Sequence, residues 1–182
     1  MRIFSAYSQM LPNTSVILGI DPGTATTGFG VICQTTGSKF SCLSYGCIET
    51  PKGMGAGDRL LMLERDLRLL LKKWKPRAVA VEKLFFLKNL KTAMPVSEAR
   101  GVILLSAARH NIPVVEFTPL QIKSVISGYG KADKKQVQRM VQQILRLQEL
   151  PKPDDAADAL GAALACGFLS PPSHLDTGRD LK

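Results

Sequence analysis

Val16-Ile17-Leu18-Gly19-Ile20-Asp21-Pro22-Gly23 is a short apolar run that stops on a carboxylate and a turn. Residues 16–21 read as a buried strand, and Pro22-Gly23 as the sharp turn that ends it. A second apolar run, residues 78–81, also ends on an acid, Glu82. Between them, residues 27–34 and 40–48 are rich in β-branched, aromatic and small side chains. Thr36-Gly37-Ser38 separates these two runs as a hairpin turn would.

The period then changes. Leu60, Leu63, Leu67, Leu70, Leu71 and Trp74 recur at helical spacing, with charged residues between them. Asp58 is the expected N-cap of this helix and Lys75-Pro76 its stop. Residues 90–110 read as a helix interrupted near Pro95. Its second half is apolar nearly all round, as in a deeply buried helix or one at a subunit interface. Residues 114–117 form a strand closed by Pro119, and 121–126 a short helix before Gly128-Tyr129-Gly130. Asp133 caps a further helix whose Val137, Met140, Val141, Ile144 and Leu145 face inward. Residues 154–169 form the last helix. Three strands followed by alternating helices and strands predict one mixed five-stranded α/β sheet flanked by helices, in a single domain. Residues 1–15 are expected to lie outside the core as an N-terminal extension, 16–169 to be the domain, and 170–182 to be a flexible tail.

The chain has 182 residues, 45% hydrophobic and 21% charged, enough apolar content for a real core. No apolar run approaches the roughly 20 residues of a spanning helix. The first 15 residues lack the basic start and apolar stretch of a secretory signal. Four cysteines without C-x-x-C spacing fit buried thiols in a reducing cytoplasm. His110 and His174 are not at zinc-ligand spacing with any of them. The formal net charge is +9. Between Lys72 and Arg146 there are 15 basic and 4 acidic residues, a net +11, which leaves −2 on the remainder. A middle segment of that sign suits a phosphate-rich partner.

The acids carry the chemistry. Asp21 and Glu82 end strands read as central, where an ionised carboxylate is costly unless it is paired or bound to a cation. Asp155 and Asp158, at i and i+3, lie on one helix face. If that helix packs beside the two strand ends, four carboxylates converge, and all-oxygen ligation suits Mg²⁺ or Mn²⁺. Two such ions about 3.5–4 Å apart serve phosphodiester hydrolysis. Taken singly, Asp154 and Asp155 read better as helix caps, Asp21 as a turn residue, and Glu82 as an edge acid paired with Lys83; only the coincidence of the three sites favours the metal reading. Lys134 and Lys135 stand in the first turn of a helix, where the macrodipole disfavours cations; either a bound phosphate favours them there or they are a solvated helix end carrying a small cost. Lys123 in the preceding helix adds a third cation. Phe85 and Phe86 are adjacent in an extended segment, where both cannot point inward; two readings stand, one exposed ring that stacks on a base or both rings packed in the core or an interface.

The segments Ile17–Gly23, Ala80-Val81-Glu82, Glu98-Ala99-Arg100-Gly101, Gly128–Val141 and Asp155-Ala156-Ala157-Asp158-Ala159-Leu160 occur in an order and spacing that resembles the RuvC family of Holliday-junction resolvases. The resemblance runs from Val16 to about Cys166. It implies an RNase H-like fold, a homodimer, and paired symmetric nicks in four-way DNA junctions with divalent metal, Mg²⁺ or in its place Mn²⁺. It also implies a junction-binding protein and a branch-migration ATPase as partners. By motif position Asp21, Glu82, Asp155 and Asp158 are similar to the family's metal-binding catalytic acids, Phe85 to its base-stacking residue, and Lys123 and Lys134 to its DNA-contacting lysines. Ser97-Glu98 departs from the commoner Gly-Gln, and Asp154 duplicates the acid of the last motif. Helical spacing favours Asp155 over Asp154 as the partner of Asp158. Two other readings stay open on the residues alone. One is an actin-like kinase built on Asp21-Pro22-Gly23-Thr24, for which no second phosphate loop is found; the other is a DNA-binding protein without catalysis.

Overall fold

The structure, a computed structural model, describes residues 14–35, 39–83 and 90–169. The expected N-terminal extension up to residue 13, the turn at 36–38, the stacking ring of Phe85 and the tail from residue 170 lie outside the described residues.

Five strands form one sheet in the order β3-β2-β1-β4-β5. They are β1 (Ser15–Asp21), β2 (Thr26–Thr35), β3 (Lys39–Glu49), β4 (Ala78–Glu82) and β5 (Val114–Phe117). β1, β2 and β3 pair antiparallel, while β4 and β5 run parallel to β1. The helices are α1 (Ala56–Trp74), α2 (Leu90–Arg109), α3 (Pro119–Ser127), α4 (Lys134–Leu145) and α5 (Asp154–Leu169).

Strand pleat divides the core in two, because alternate residues face opposite sides of a sheet. Leu18, Ile20, Val79 and Val81 pack with Leu63, Leu67 and Leu71 of α1 and Ile103 of α2. Ile17, Ile32, Ala78 and Ala80 pack on the other face with α3, α4 and Leu160, Ala163 and Leu164 of α5. α5 is apolar on nearly every side, and all its residues from Ala159 to Gly167 are buried.

α5 lies against the sheet backbone itself. A methyl group on Gly19 would land on the carbonyl oxygen of Ala159, one on Gly28 on that of Asp155, and one on Gly30 2.8 Å from Leu160 Cδ2. Gly19 and Gly30 are cross-strand partners, and Gly28 is the partner of Asp21. The three glycines therefore clear one continuous trough across β1 and β2, which the alanine-rich helix fills.

Three local expectations are corrected. α1 begins at Ala56 with Gly55 as N-cap, so Asp58 sits inside the first turn, where its charge complements the dipole. α2 runs unbroken through Pro95. At the sixth helical position the missing N–H removes only one bond, to a carbonyl of the first turn. α3 begins at Pro119, not Gln121, because Thr118 and Gln121 form a capping box and proline fits the first helical position. Asp133 caps α4 as expected, in a second capping box with Gln136. Within α2's apolar half, Ile103, Ser106 and Ala107 are buried while Leu105 is half exposed, so only one side of the helix is in the core.

The trough makes an ordered prediction. Gly19→Ala drives a methyl group to 1.9 Å from a helix carbonyl oxygen and is expected to cost about 3 kcal/mol or more, at the top of the overpacking range; Gly30→Ala meets the Leu160 side chain and backbone nitrogen less deeply, at 2.8 Å, and is expected to cost less, about 2 kcal/mol. Urea unfolding of both variants reads the difference.

Candidate active site

β1 and β4 are parallel neighbours with Ile20 opposite Val81, so the next residues, Asp21 and Glu82, leave the two strands side by side. Pleat parity puts both on the face of Ile17, Ala78 and Ala80, beneath α5. The N-terminal end of α5 supplies Asp155 and Asp158, three residues apart and on one side of the helix. The contact of Asp155's backbone with Gly28, the partner of Asp21, brings that helix end directly over the end of β1.

Electrostatics register the crowding. Burial, and then the charges of Glu82, Asp158 and Asp155, push the Asp21 carboxyl up to about 8, against the pull of Lys134. Burial and Asp158 raise Glu82 to about 7, with Lys123 and Lys134 opposing. Asp158 is also raised, chiefly by burial, although Lys134 donates to it. The group is short of positive charge.

Two cations approach it. Lys123, half-buried on α3, faces Glu82. Lys134 Nζ, in the first turn of α4, lies 3.1 Å from Asp158 Oδ2 and 3.2 Å from Asp154 Oδ2. Burial acts against its charge, but the bonds to Asp158 and Asp154 hold the ammonium above its usual range. A cation at a helix N-terminus, unexplained by its own helix, is thus balanced by acids of another. Lys135 follows it, exposed.

Asp154 separates from its neighbour. It is exposed, and Gln138 Nε2 donates to its Oδ1 at 2.9 Å while Lys134 holds its Oδ2. These two partners, Gln138 first, keep its carboxyl below the usual range. Asp155, not Asp154, is among the charges that raise Asp21. One residue was missed by sequence reasoning. Cys47, opposite Gly28 on β3, lies beside Asp155, and burial with that charge lifts its thiol to about 11. Its position follows from strand register, which the hairpin sequence alone does not disclose.

Hard oxygen donors with a deficit of positive charge fit a hard divalent cation, and Asp21, Glu82, Asp155 and Asp158 are the residues that could hold one. Among the described residues no three His, Cys, Asp or Glu side chains already close around a single point.

A mixed five-stranded sheet of this order, with acids at the ends of β1 and β4 and on the helix crossing them, defines an RNase H-like domain. The family description "Crossover junction endodeoxyribonuclease RuvC" matches residues 17–166. A protein of that name from Syntrophomonas wolfei is 54% identical over 81% of this chain and 86% of its own length. One from Caldicellulosiruptor saccharolyticus is 50% identical over 87% and 95%. Thermus thermophilus RuvC, solved in complex with Holliday junction substrate, is 35% identical with a TM-score of 0.81, covering 85% of this chain and 94% of that one. The chain belongs to the RuvC family.

A carboxyl raised in the folded state keeps its proton where the unfolded chain has lost it. Its contribution to stability is therefore full below about 4 and is lost as pH rises through about 8 for Asp21 and about 7 for Glu82. Without divalent cations, the stability difference between the unsubstituted protein and Asp21→Asn is expected to shift against the former from pH 5 to pH 8.5. Denaturant midpoints of the two proteins across that range measure it.

Proposed function

We propose that this protein is a crossover junction endodeoxyribonuclease that resolves four-way DNA junctions by paired symmetric nicks, in recombination and repair. Asp21, Glu82, Asp155 and Asp158 would hold magnesium, two ions per site, with manganese able to substitute. The observation that carries this reading is the meeting of Asp21 and Glu82 with the acidic turn of α5, close enough to raise Asp21 to about 8. Family membership and the similarity to a junction-bound RuvC support the substrate.

Bound there, such ions supply an activated water and stabilise the charge on the leaving 3′ oxygen. The protein's own residues do the rest. Asp21 and Glu82, fixed by two neighbouring strands, hold one side of the site rigidly, and Asp155 and Asp158 hold the other. Partial burial of Asp21, Glu82 and Asp158 strengthens the charge interactions among them. Lys123 and Lys134 flank the acids and would engage phosphate oxygens of the cut strand, with Lys135 extending the basic surface. Phe85 would stack on an unpaired base beside the site, worth about 1–3 kcal/mol.

Two equivalent strands need two equivalent sites, and a two-fold homodimer supplies them. α2 leaves Met94 71% exposed and Leu105 50% exposed, apolar surface that a second copy would cover. A junction-binding protein and a branch-migration ATPase are the further partners we assign, and the reducing cytoplasm is the compartment, in keeping with four free thiols. Among the described residues no helix is long and apolar enough to cross a membrane. Residues 16–169 would be the nuclease domain, joined by Ser15 as the first residue of β1, with the residues before it and 170–182 outside it.

Loss of groups that merely support a metal ligand already costs about 10–100-fold. Asp21→Asn is therefore expected to reduce nicking of a synthetic four-way junction by at least about a hundredfold while junction binding is retained. Gel assays of cleavage and binding with Mg²⁺ report both, and full cleavage by the variant rules out the assigned site.

A further inference from the structure

Asp158 is claimed twice. It belongs to the acids around Asp21, and it is also an ion-pair partner of Lys134. The same ammonium bonds Asp154, one helical turn earlier on α5 and on the outer side of the cluster. Gln138, one turn after Lys134 on α4, donates to the other oxygen of Asp154. An acid that merely served the start of its helix would need no amide from a second helix to fix it. Here both oxygens of Asp154 are engaged by α4, one by the lysine and one by the glutamine.

We infer that Asp154, braced by Gln138, is a positioning residue for Lys134: the ammonium shares Asp158 while no divalent cation is bound and withdraws to Asp154 when one is. The inference rests on the metal-site reading above. A divalent cation bound at Asp158 would repel the ammonium that lies 3.1 Å from Asp158 Oδ2, which favours its withdrawal from that carboxylate. Asp154 lies within reach of the same lysine side chain, so the displaced charge moves to a waiting partner and not into bulk water. It stays at the rim of the site, where a phosphate oxygen of the substrate can take up the bonding capacity that Asp158 released. Without Asp154, Lys134 would have Asp158 alone and would contest it more strongly. Lys134 thereby acts as an internal competitor of the metal, and Asp154 weakens that competition.

The test uses Mn²⁺ alone, titrated calorimetrically into the full-length protein without DNA. Lys134→Met removes the competitor and is expected to tighten Mn²⁺ binding at least about threefold; Asp154→Asn strands the competitor on Asp158 and is expected to weaken it about threefold, the scale of an exposed ion pair. In the Lys134→Met background, Asp154→Asn is expected to change nothing, and that non-additivity isolates the pairwise effect. Both side chains are half or more exposed, and thermal melts of each variant check that the fold is kept. Equal weakening by Asp154→Asn in both backgrounds, or no tightening by Lys134→Met, overturns the inference while leaving the metal site intact. Absence of Mn²⁺ binding by the unsubstituted protein, or binding undiminished in Asp21→Asn, overturns the metal site and the inference with it.

Discussion

The contact of α5's backbone with the backbone of β1 and β2 governs everything built on this sheet. A helix laid on a sheet is normally held off by side chains from both surfaces. At Gly19, Gly28 and Gly30 the sheet has none, and α5 answers with Ala159 and Ala163. Aspartate reaches only one methylene beyond its backbone. If α5 stood one layer of side chains higher, Asp155 and Asp158 could not influence Asp21 as they do. Close packing therefore sets the electrostatics of the site.

That packing gathers negative charge where little solvent can relieve it. The protein offsets part of the cost with Lys123 and Lys134, brought in by α3 and α4 on the same face of the sheet. The rest remains as raised carboxyl groups, a local instability that a divalent cation would remove. Stability given up at a binding site in this way is common where function requires it. Its consequence is that cation binding and folding draw on the same interactions.

Asp154, Asp155 and Asp158 show how environment divides residues of one type. Asp155 and Asp158 face the buried strand ends, whereas Asp154 faces α4 and the solvent. One helical step separates the two situations. Lys134 links them, since it is in hydrogen-bonding reach of one acid from each side.

Much of this architecture was legible beforehand. The runs ending in Asp21 and Glu82 read as strands because each is apolar, short and closed by a charge, and α4 and α5 read as helices from capping and period. The readings that failed were local competitions: Gly55 in place of Asp58 as the cap of α1, a proline that starts α3, and another that α2 accommodates. Which residues could be strand, helix and charge was set locally, because those properties depend on neighbours a few positions away. That Gly28 seats Asp155, that Cys47 sits beside the acids, and that Lys134 is held by Asp154 and Asp158 came from the fold. Those pairings join distant stretches of chain, and their geometry follows from how closely whole elements pack.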